Sequence, residues 1–237
     1  MVDLLAPLRE APGAAALLFD VDGTLAPIAA RPELAFVPPQ TKLELARLAA
    51  GYLLVACISG RSGEEAEALV GVEGIRYVGN HGLELDERAA ELADRIAAFR
   101  DSVALPVEDK GLSLSYHYRG AEDEETAKAR LEEVAELARA EGLDPRWGRK
   151  VLEIRPPVAA DKGTAVTALL ASVPARNGLY AGDDTTDLDA FEGLTRAGLD
   201  HAVRVAVASE EGPAELPRAA DLVVQGPAQL ASLLATL

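Results

Sequence analysis

Two aspartates separated by one residue follow an apolar run in the stretch LLFDVDGTLAP, residues 17–27. Asp is disfavoured inside a strand, but at the carboxyl end of a parallel strand it points into the crevice where α/β folds bind ligands. Gly23 lets the backbone fold back over that crevice. Because two close carboxylates repel, this pattern favours either a Mg²⁺ site or a nucleophile, Asp20, beside an acid/base, Asp22. A turn with an Asx cap would explain either aspartate alone.

A second acidic group, GDDTTD at residues 182–187, also follows a short apolar strand, Leu179–Ala181. Asp183, Asp184 and Asp187 are its carboxylates. The purely structural alternative is an acidic turn that caps a helix beginning at Leu188. Two acidic strand ends in one parallel sheet favour a shared metal site, because carboxylate oxygens are the ligands that Mg²⁺ prefers.

Two further positions suit an anion. The segment Ser59 to Arg61 ends the apolar run Leu53–Ile58 and leads into a helix N-terminus, where hydroxyl and amide donors can bind an anion. Lys162 precedes the helix Thr164–Ala171, and a lysine in a first helical turn opposes the helix dipole. A phosphate beside Mg²⁺ would compensate the unfavourable interaction of the lysine with the helix dipole. The alternative is an exposed lysine, whose cost in stability at that position is small.

The whole chain is acidic. It has 237 residues, 49% of them hydrophobic, and 39 acidic against 23 basic residues give a net charge of −16. That length allows one large domain, or a medium and a small one. A nucleic acid or an anionic membrane would need a basic surface, so we expect neither as a partner. An anionic substrate would need local positive charge at its site.

The sole cysteine and the N-terminus indicate the compartment. Cys57 lies in the apolar run Leu53–Ile58 and reads as a core thiol. The start MVDLLAPLRE lacks the pattern of a signal peptide, and no run approaches the roughly 20 apolar residues of a membrane span. We therefore expect a cytoplasmic protein, with a monomer as the simplest state.

Short apolar runs alternate with helical patterns along most of the chain. Ser62 with Glu65 predicts a capping box ahead of one helix. The alternation predicts an α/β fold with a doubly wound, mostly parallel sheet and a Rossmann-like core. The predicted strands are Ala14–Phe19, Leu53–Ile58, Ile75–Val78, Gly178–Ala181, Val203–Val207 and Leu222–Val224.

The middle of the chain follows another pattern. Leu112–Arg119 and Val151–Arg155 alternate apolar and polar residues, which predicts half-buried strands. Helical spacing precedes and follows the first of them, and Asp144–Pro145 is interpreted as the end of the second helix. We expect an antiparallel sheet backed by helices, that is, a small α+β domain over residues 84–157 inserted into a core of residues 1–83 and 158–237.

The four motifs, in this order, resemble the haloacid dehalogenase superfamily of phosphotransferases. DVDGT matches its first motif, Ser59 its second, Lys162 its third and GDDTTD its fourth. The resemblance implies an aspartyl-phosphate intermediate on Asp20, with Asp22 as acid/base and with Ser59 and Lys162 on the phosphoryl oxygens. It implies Mg²⁺ bound by Asp20, the backbone carbonyl of Asp22 and Asp183, with Asp184 and Asp187 as ligands or neighbours.

Finer motifs are similar to those of the trehalose-6-phosphate phosphatase family: FDVDGTLAPI, SGRS, GNHGLE, SYHYR, KVLEIRP followed by DKG, and GDDTTDLDAF. Leu188 departs from that family, which often has an acid there. The resemblance implies a Mg²⁺-dependent hydrolysis of trehalose 6-phosphate to trehalose and phosphate, and an α/β cap between the second and third motifs.

The sugar needs side chains that bind hydroxyls, such as Glu, Arg, Asn and His. The residues expected to contact it, from the polar faces of the cap strands and from the resemblance, are Arg61, Asn80, His81, His117, Arg119, Lys150 and Glu153. Lys150 alternates onto the face opposite Glu153, so the strand must start later or twist for both to contribute. Alternatively, the polar faces of these strands are only solvated and bind no sugar.

Three other functions stay open on the sequence. The same chemistry could act on a sucrose, mannosylglycerate or hexose phosphate, or a phosphomutase could return the phosphoryl group to its sugar. A sugar-phosphate-binding regulator with a decayed site would have lost its nucleophile or its lysine, but Asp20 and Lys162 are both present.

Overall fold

The computed structural model describes residues 3–29, 31–148, 150–210 and 212–237. These divide into two compact units, Met1–Leu85 with Ala160–Leu237, and Asp86–Ala159. The division of labour expected from the sequence, a catalytic core and a specificity cap, stays a prediction.

The described residues form ten strands and ten α-helices. The strands are β1 Ala15–Phe19, β2 Leu54–Ile58, β3 Arg76–Val78, β4 Glu108–Asp109, β5 Leu114–His117, β6 Asp144–Gly148, β7 Val151–Arg155, β8 Asn177–Gly182, β9 His201–Ala208 and β10 Leu222–Gln225. The helices are α1 Ala6–Glu10, α2 Pro39–Gly51, α3 Gly63–Val70, α4 Glu87–Glu91, α5 Ala93–Ser102, α6 Glu124–Ala140, α7 Lys162–Ala171, α8 Thr186–Arg196, α9 Glu215–Ala219 and α10 Gly226–Leu234.

The larger unit is built on a six-stranded sheet in the order β10-β9-β8-β1-β2-β3, and all its pairings are parallel. All five residues of β1 are buried, as expected for a parallel strand covered on both faces. Because side chains alternate along a strand, Leu17 packs with the layer of α2 and α10, and Leu18 with the layer of α7 and α8. The predicted α/β fold with a mostly parallel sheet is confirmed.

The strand order places a crevice at the centre of this sheet. From β1 the chain runs outward through β2 and β3, and it returns with β8 on the other side of β1. This reversal is a topological switch point, and ligands of open α/β sheets bind outside the carboxyl ends of the strands there. Asp20 and Asp183 directly follow β1 and β8, so both acidic motifs lie at this edge.

The smaller unit contains an antiparallel sheet in the order β4-β5-β7-β6. Leu114 and Tyr116 of β5 are buried against apolar residues of α5 and α6, whereas Ser115 pairs in register with Glu153. A helix-backed sheet with one polar face, expected from the alternating pattern, is what the structure contains.

Two details of this unit differ from the sequence-based expectation. The strand predicted over Leu112–Arg119 is shorter, Leu114–His117. Asp144–Pro145, interpreted only as a helix end, begins β6 after α6 has ended at Ala140. Pro145 is tolerated there because β6 is an edge strand, where one backbone donor is not needed by a neighbour. Among the described residues, none of the helices combines the length and the apolarity that crossing a bilayer requires.

Candidate active site

Asp20 is held at the end of β1 by the central sheet. Its backbone N–H donates to the Ala181 carbonyl at 2.9 Å, continuing the pairing of β1 with β8. The Asp20 side chain is 7% exposed. Lys162, at the start of α7, donates from Nζ to Asp20 Oδ1 at 2.6 Å and to Asp187 Oδ1 at 2.7 Å. The lysine predicted to need an anion in the first turn of its helix therefore lies between two buried carboxylates.

Asp183 reaches the same place from β8. A Cβ on Gly23 would lie 2.0 Å from Asp183 Oδ2, and Gly23 has a φ of 88°. The backbone of the first motif thus passes directly over the carboxylate of the fourth, which only glycine permits. The Thr24 hydroxyl donates to Asp183 Oδ1 at 3.1 Å and fixes that carboxylate from the other side.

Asp187 is fully buried and accepts four hydrogen bonds. Its Oδ1 accepts from Lys162 and from the Tyr180 hydroxyl, each at 2.7 Å. Its Oδ2 accepts from the backbone N–H groups of Asp183 and Asp184, each at 2.8 Å. Since both oxygens already have two donors, Asp187 fits the role of an anchor for Lys162 and for the acidic turn better than that of a metal ligand.

Asp20, Asp183 and Asp187 bring carboxylate oxygens within 4.8 Å of one another. Burial, opposed by the charge of Lys162 and reinforced by that of Asp187, raises the pKa of Asp20. Burial and the charges of Asp20 and Asp187 also raise the pKa of Asp183. For Lys162, burial alone would lower the pKa, but Asp187 and Asp20 outweigh it, so its pKa is raised and the ammonium stays charged.

The donor set fits a hard divalent cation. Three carboxylates and one ammonium leave two negative charges in a buried cluster when all are ionised. Since Asp187 is saturated, Asp20 and Asp183 are the carboxylates that suit Mg²⁺, which binds through one or two carboxylates and completes its shell with other oxygens. Asp184 lies outside the cluster; its Oδ1 accepts from the Thr185 hydroxyl at 3.0 Å.

The carboxylate of Asp22 pairs with Arg61. Arg61 Nε donates to Asp22 Oδ2 and its Nη2 to Asp22 Oδ1, both at 2.7 Å. This two-pronged pairing matches the planar guanidinium to the carboxylate and fixes the orientation of both groups. Arg61 was expected to contact the sugar; the structure pairs it with the predicted acid/base, and its sugar contact stays a prediction.

Ser59, Asn80 and His81 come together at the ends of β2 and β3. The Ser59 side chain is buried, and its hydroxyl oxygen accepts from the Arg61 backbone at 3.1 Å. The Asn80 N–H donates to the Arg61 carbonyl at 2.7 Å and the His81 N–H to the Ser59 carbonyl at 2.9 Å. A Cβ on Gly60 would lie 2.7 Å from His81 Nε2, so the imidazole lies over this segment.

Predicted sugar contacts of the smaller unit lie in different surroundings. Glu153 accepts from Lys110 Nζ and from the Ser115 hydroxyl, each at 3.4 Å. His117 Nε2 lies 2.6 Å from Glu108 Oε2.

Lys150 and Arg119 differ from Glu153 in their partners and exposure. Lys150 occupies the turn before β7 with a φ of 58° and pairs with Glu124 at 2.9 Å, and Arg119 is exposed beyond β5. The sequence left open whether Lys150 and Glu153 share a face.

Sequence reasoning missed several residues of these clusters. Tyr180 and Thr24 hold Asp187 and Asp183, and Lys110 lies beside Glu153. Tyr180 lies two residues before Gly182, the first residue of the GDDTTD motif, on the same strand, and the large majority of buried hydroxyls have a hydrogen-bond partner. That rule could have pointed to Tyr180; Lys110 lies in a loop without a comparable signal.

The fold, with acidic motifs at the switch point and an inserted α+β unit, is that of the haloacid dehalogenase-like hydrolases. The family model for trehalose-phosphatases matches residues 18–98 and 100–227, and the chain belongs to this family. The resemblance seen in the sequence motifs is thereby confirmed, as is the expectation of an enzyme family.

Two relatives are similar in sequence to this chain. The trehalose-phosphate phosphatase of Mycobacterium marinum is 32% identical over 245 residues, covering 91% of this chain and 59% of the relative. A Mycobacterium tuberculosis protein described as an uncharacterized glycosyl hydrolase is 35% identical over 216 residues, covering 80% of this chain but 16% of that protein. This chain therefore spans less than two thirds of either relative.

A solved structure matches the fold over nearly the whole chain. The C-terminal domain of the Candida albicans trehalose-6-phosphate phosphatase aligns with a TM-score of 0.74 at 22% identity, covering 98% of this chain and 95% of that domain. At this identity the similarity is one of fold.

Proposed function

We propose that this chain is a Mg²⁺-dependent phosphatase that hydrolyses trehalose 6-phosphate to trehalose and phosphate through an aspartyl-phosphate on Asp20. The observation that carries the proposal is the Lys162 ammonium between Asp20 and Asp187, at 2.6 and 2.7 Å, with Asp183 in the same buried cluster of a trehalose-phosphatase family chain. A buried nucleophile with a fixed cation suits phosphoryl transfer, which depends on positioning and charge stabilisation.

In the first step, a carboxylate oxygen of Asp20 attacks the phosphorus and the bond to the sugar oxygen breaks. The leaving alkoxide takes a proton from Asp22, whose carboxyl group Arg61 holds in one orientation. Lys162 and the Ser59 hydroxyl bind the phosphoryl oxygens as negative charge develops on them. The products of this step are free trehalose and phosphorylated Asp20.

In the second step, Asp22 acts as a base and takes a proton from a water molecule, which attacks the phosphorus. The bond between phosphorus and Asp20 breaks, so phosphate leaves and the carboxylate is restored. Mg²⁺, held by Asp20 and Asp183, would supply charge neutralisation of the phosphoryl group in both steps.

For the sugar, we propose contacts from Asn80, His81 and the polar face of the small sheet, including Glu153. Glu153 and His117 offer acceptors and a ring N–H that suit hydroxyl groups. We also propose that the protein works as a cytoplasmic monomer on this small-molecule substrate; light scattering on the purified protein tests the oligomeric state.

Phosphate release from a panel of sugar phosphates tests substrate and chemistry together. We expect trehalose 6-phosphate to have the highest kcat/KM, ahead of sucrose, mannosylglycerate and hexose phosphates, with net release of phosphate. A higher kcat/KM on another member would correct the substrate, and return of the phosphoryl group to the sugar would indicate a phosphomutase.

The nucleophile is tested by Asp20→Asn. The amide oxygen is a poor nucleophile, so turnover should fall to the background rate while circular dichroism shows an unchanged fold. Asp200→Asn is the matched control, because Asp200 is an exposed partner of Arg176. Wild-type turnover in Asp20→Asn would remove Asp20 from this role.

Metal binding is tested by thermal unfolding, independently of turnover. At a hundredfold excess over its Kd, a ligand that binds only the folded state contributes about 2.7 kcal/mol, on the order of 5 to 10 °C for a chain of this size. We expect MgCl2 to raise the Tm of wild type and Asp200→Asn by this amount, and to raise that of Asp183→Asn by much less. An equal rise in all three proteins would contradict a site at Asp183.

A further inference from the structure

The carboxylate of Glu84 joins two loops that carry predicted site residues. Glu84 Oε1 accepts from the backbone N–H of Gly63, and Oε2 accepts from that of Gly79, each at 2.8 Å. The Asn80 side-chain amide donates to Oε1 at 3.2 Å. Gly63 is the first residue of α3, so the negative charge also lies at a helix N-terminus, where it is favourable.

The two loops approach each other as closely as backbone allows. A Cβ on Gly79 would lie 2.1 Å from the Gly63 nitrogen and 2.4 Å from Glu84 Oε1. A Cβ on Gly63 would lie 2.5 Å from Glu84 Oε2. A side chain at Gly63 or Gly79 would therefore collide with the facing segment, and the Glu84 carboxylate accepts from both backbone N–H groups.

The turn that follows Gly79 is strained. Asn80 and His81 have φ values of 51° and 52°, and Gly82 has a φ of 99°. A left-handed conformation at two successive non-glycine residues persists only where surrounding contacts hold it. Those contacts include the two backbone bonds to Ser59 and Arg61, and the Glu84 carboxylate on the flanking Gly79 N–H and on the Asn80 amide.

We propose that Glu84 is a positioning residue: it holds the Asn80–His81 turn in its left-handed conformation against the segment from Ser59 to Arg61. Its effect on substrate binding rests on the proposed function, since Asn80 and His81 are proposed sugar contacts. Glu84 acts through these residues and takes no part in the phosphoryl transfer.

The conformational part of the proposal is tested by hydrogen–deuterium exchange on the full chain. Glu84→Gln keeps the shape of the side chain but removes the charge and one acceptor. We expect about fivefold faster exchange in peptides covering 60–63 and 79–82. Glu64→Gln makes the same chemical change at an exposed position of α3 and should leave both peptides unchanged. Unchanged exchange in Glu84→Gln would overturn the proposal.

The functional part is tested by steady-state kinetics on trehalose 6-phosphate. We expect Glu84→Gln to raise KM about fivefold with little change in kcat, because the turn would no longer hold the proposed sugar contacts Asn80 and His81 in place. A loss of folded protein alone would instead lower the apparent kcat and leave KM unchanged. In a His81→Ala background the same substitution should raise KM less than about twofold, since the two residues act through one turn.

The outcomes separate the two proposals. Additive effects in the double variant, or a fall in kcat at constant KM, would overturn the role of Glu84 in substrate binding. A wild-type protein that releases no phosphate from any sugar phosphate would overturn the proposed function instead. The exchange experiment would then still decide whether Glu84 holds the turn.

Discussion

At the scale of single residues, the pairing of Arg61 with Asp22 is the contact that most directly affects the proposed chemistry. The Asp22 side chain is about one-third exposed, at 34%, and that of Arg61 is 15% exposed, so the pair is partly accessible to solvent and does not lie in the core. An acid/base must keep one orientation through both proton transfers. The guanidinium supplies this orientation because its two N–H groups engage both oxygens at once.

We therefore expect Arg61→Lys to lower kcat/KM for trehalose 6-phosphate by about tenfold or more, since an ammonium cannot engage both oxygens of Asp22 and kcat/KM reports the step in which Asp22 protonates the leaving alkoxide. The effect should be much smaller for p-nitrophenyl phosphate, whose leaving group needs no proton. Steady-state kinetics on the two esters measures this difference.

Arg176→Lys is the matched control, because Arg176 forms an exposed pair with Asp200. It should leave both rates unchanged. Equal losses of kcat/KM on the two esters in Arg61→Lys would mean that Arg61 acts on the phosphoryl group and does not orient Asp22.

Residue types and spacing predicted the acidic cluster but not its internal pairing. Asp20 and Asp183 were predictable because each follows a buried parallel strand, and such strand ends meet at one edge. The partner of Asp22 was not predictable, since Arg61 is 39 residues away in the sequence and reaches Asp22 only because β2 packs beside β1. The saturation of Asp187 likewise depends on Tyr180, whose hydroxyl points to it only in the folded sheet.

At the scale of elements, the N-terminus of α7 sets the place of Lys162. The Asp161 carboxylate accepts from the Thr164 N–H at 2.7 Å, and the Thr164 hydroxyl accepts from the Asp161 N–H at 2.9 Å. This capping box fixes where the helix begins and hence the direction of its first side chain.

Asp161→Ala should cost about 1 kcal/mol of unfolding free energy, the usual value of an N-cap, and should also lower kcat because Lys162 loses its fixed position. Urea unfolding and steady-state kinetics measure the two effects. Asp123→Ala removes the corresponding cap of α6 and should cost similar stability without lowering kcat. A kcat loss in both variants would trace the effect to stability alone.

Elements with strong local patterns were predictable within a residue. The runs Ala14–Phe19 and Leu53–Ile58 correspond to β1 and β2, because parallel strands buried on both faces are continuously apolar. β6 was missed, since DPRWG has no alternation and contains Pro and Gly. α2 was not predicted either; it starts at Pro39, and few of its side chains are buried, so its apolar stripe is weak.

At the scale of the whole molecule, the net charge of −16 opposes the approach of a phosphate dianion. Added salt screens this repulsion, with a Debye length of roughly 10 Å at 0.1 M. We expect kcat/KM for trehalose 6-phosphate to rise, by about twofold, between 20 and 200 mM KCl at fixed MgCl2. Stopped assays at low substrate concentration measure it, and a fall in kcat/KM would instead indicate attraction by local positive charge.

The insertion of β8 beside β1 has a consequence for the chain as it leaves the ribosome. Until residues 177–182 have been made, β1 is the open border of a three-stranded sheet, and its sequence AALLF is an apolar template for other chains. A nascent or proteolysed fragment ending in the smaller unit would thus be prone to aggregation as well as inactive. Chaperone demand during translation should peak in this interval and subside once β8 covers that border.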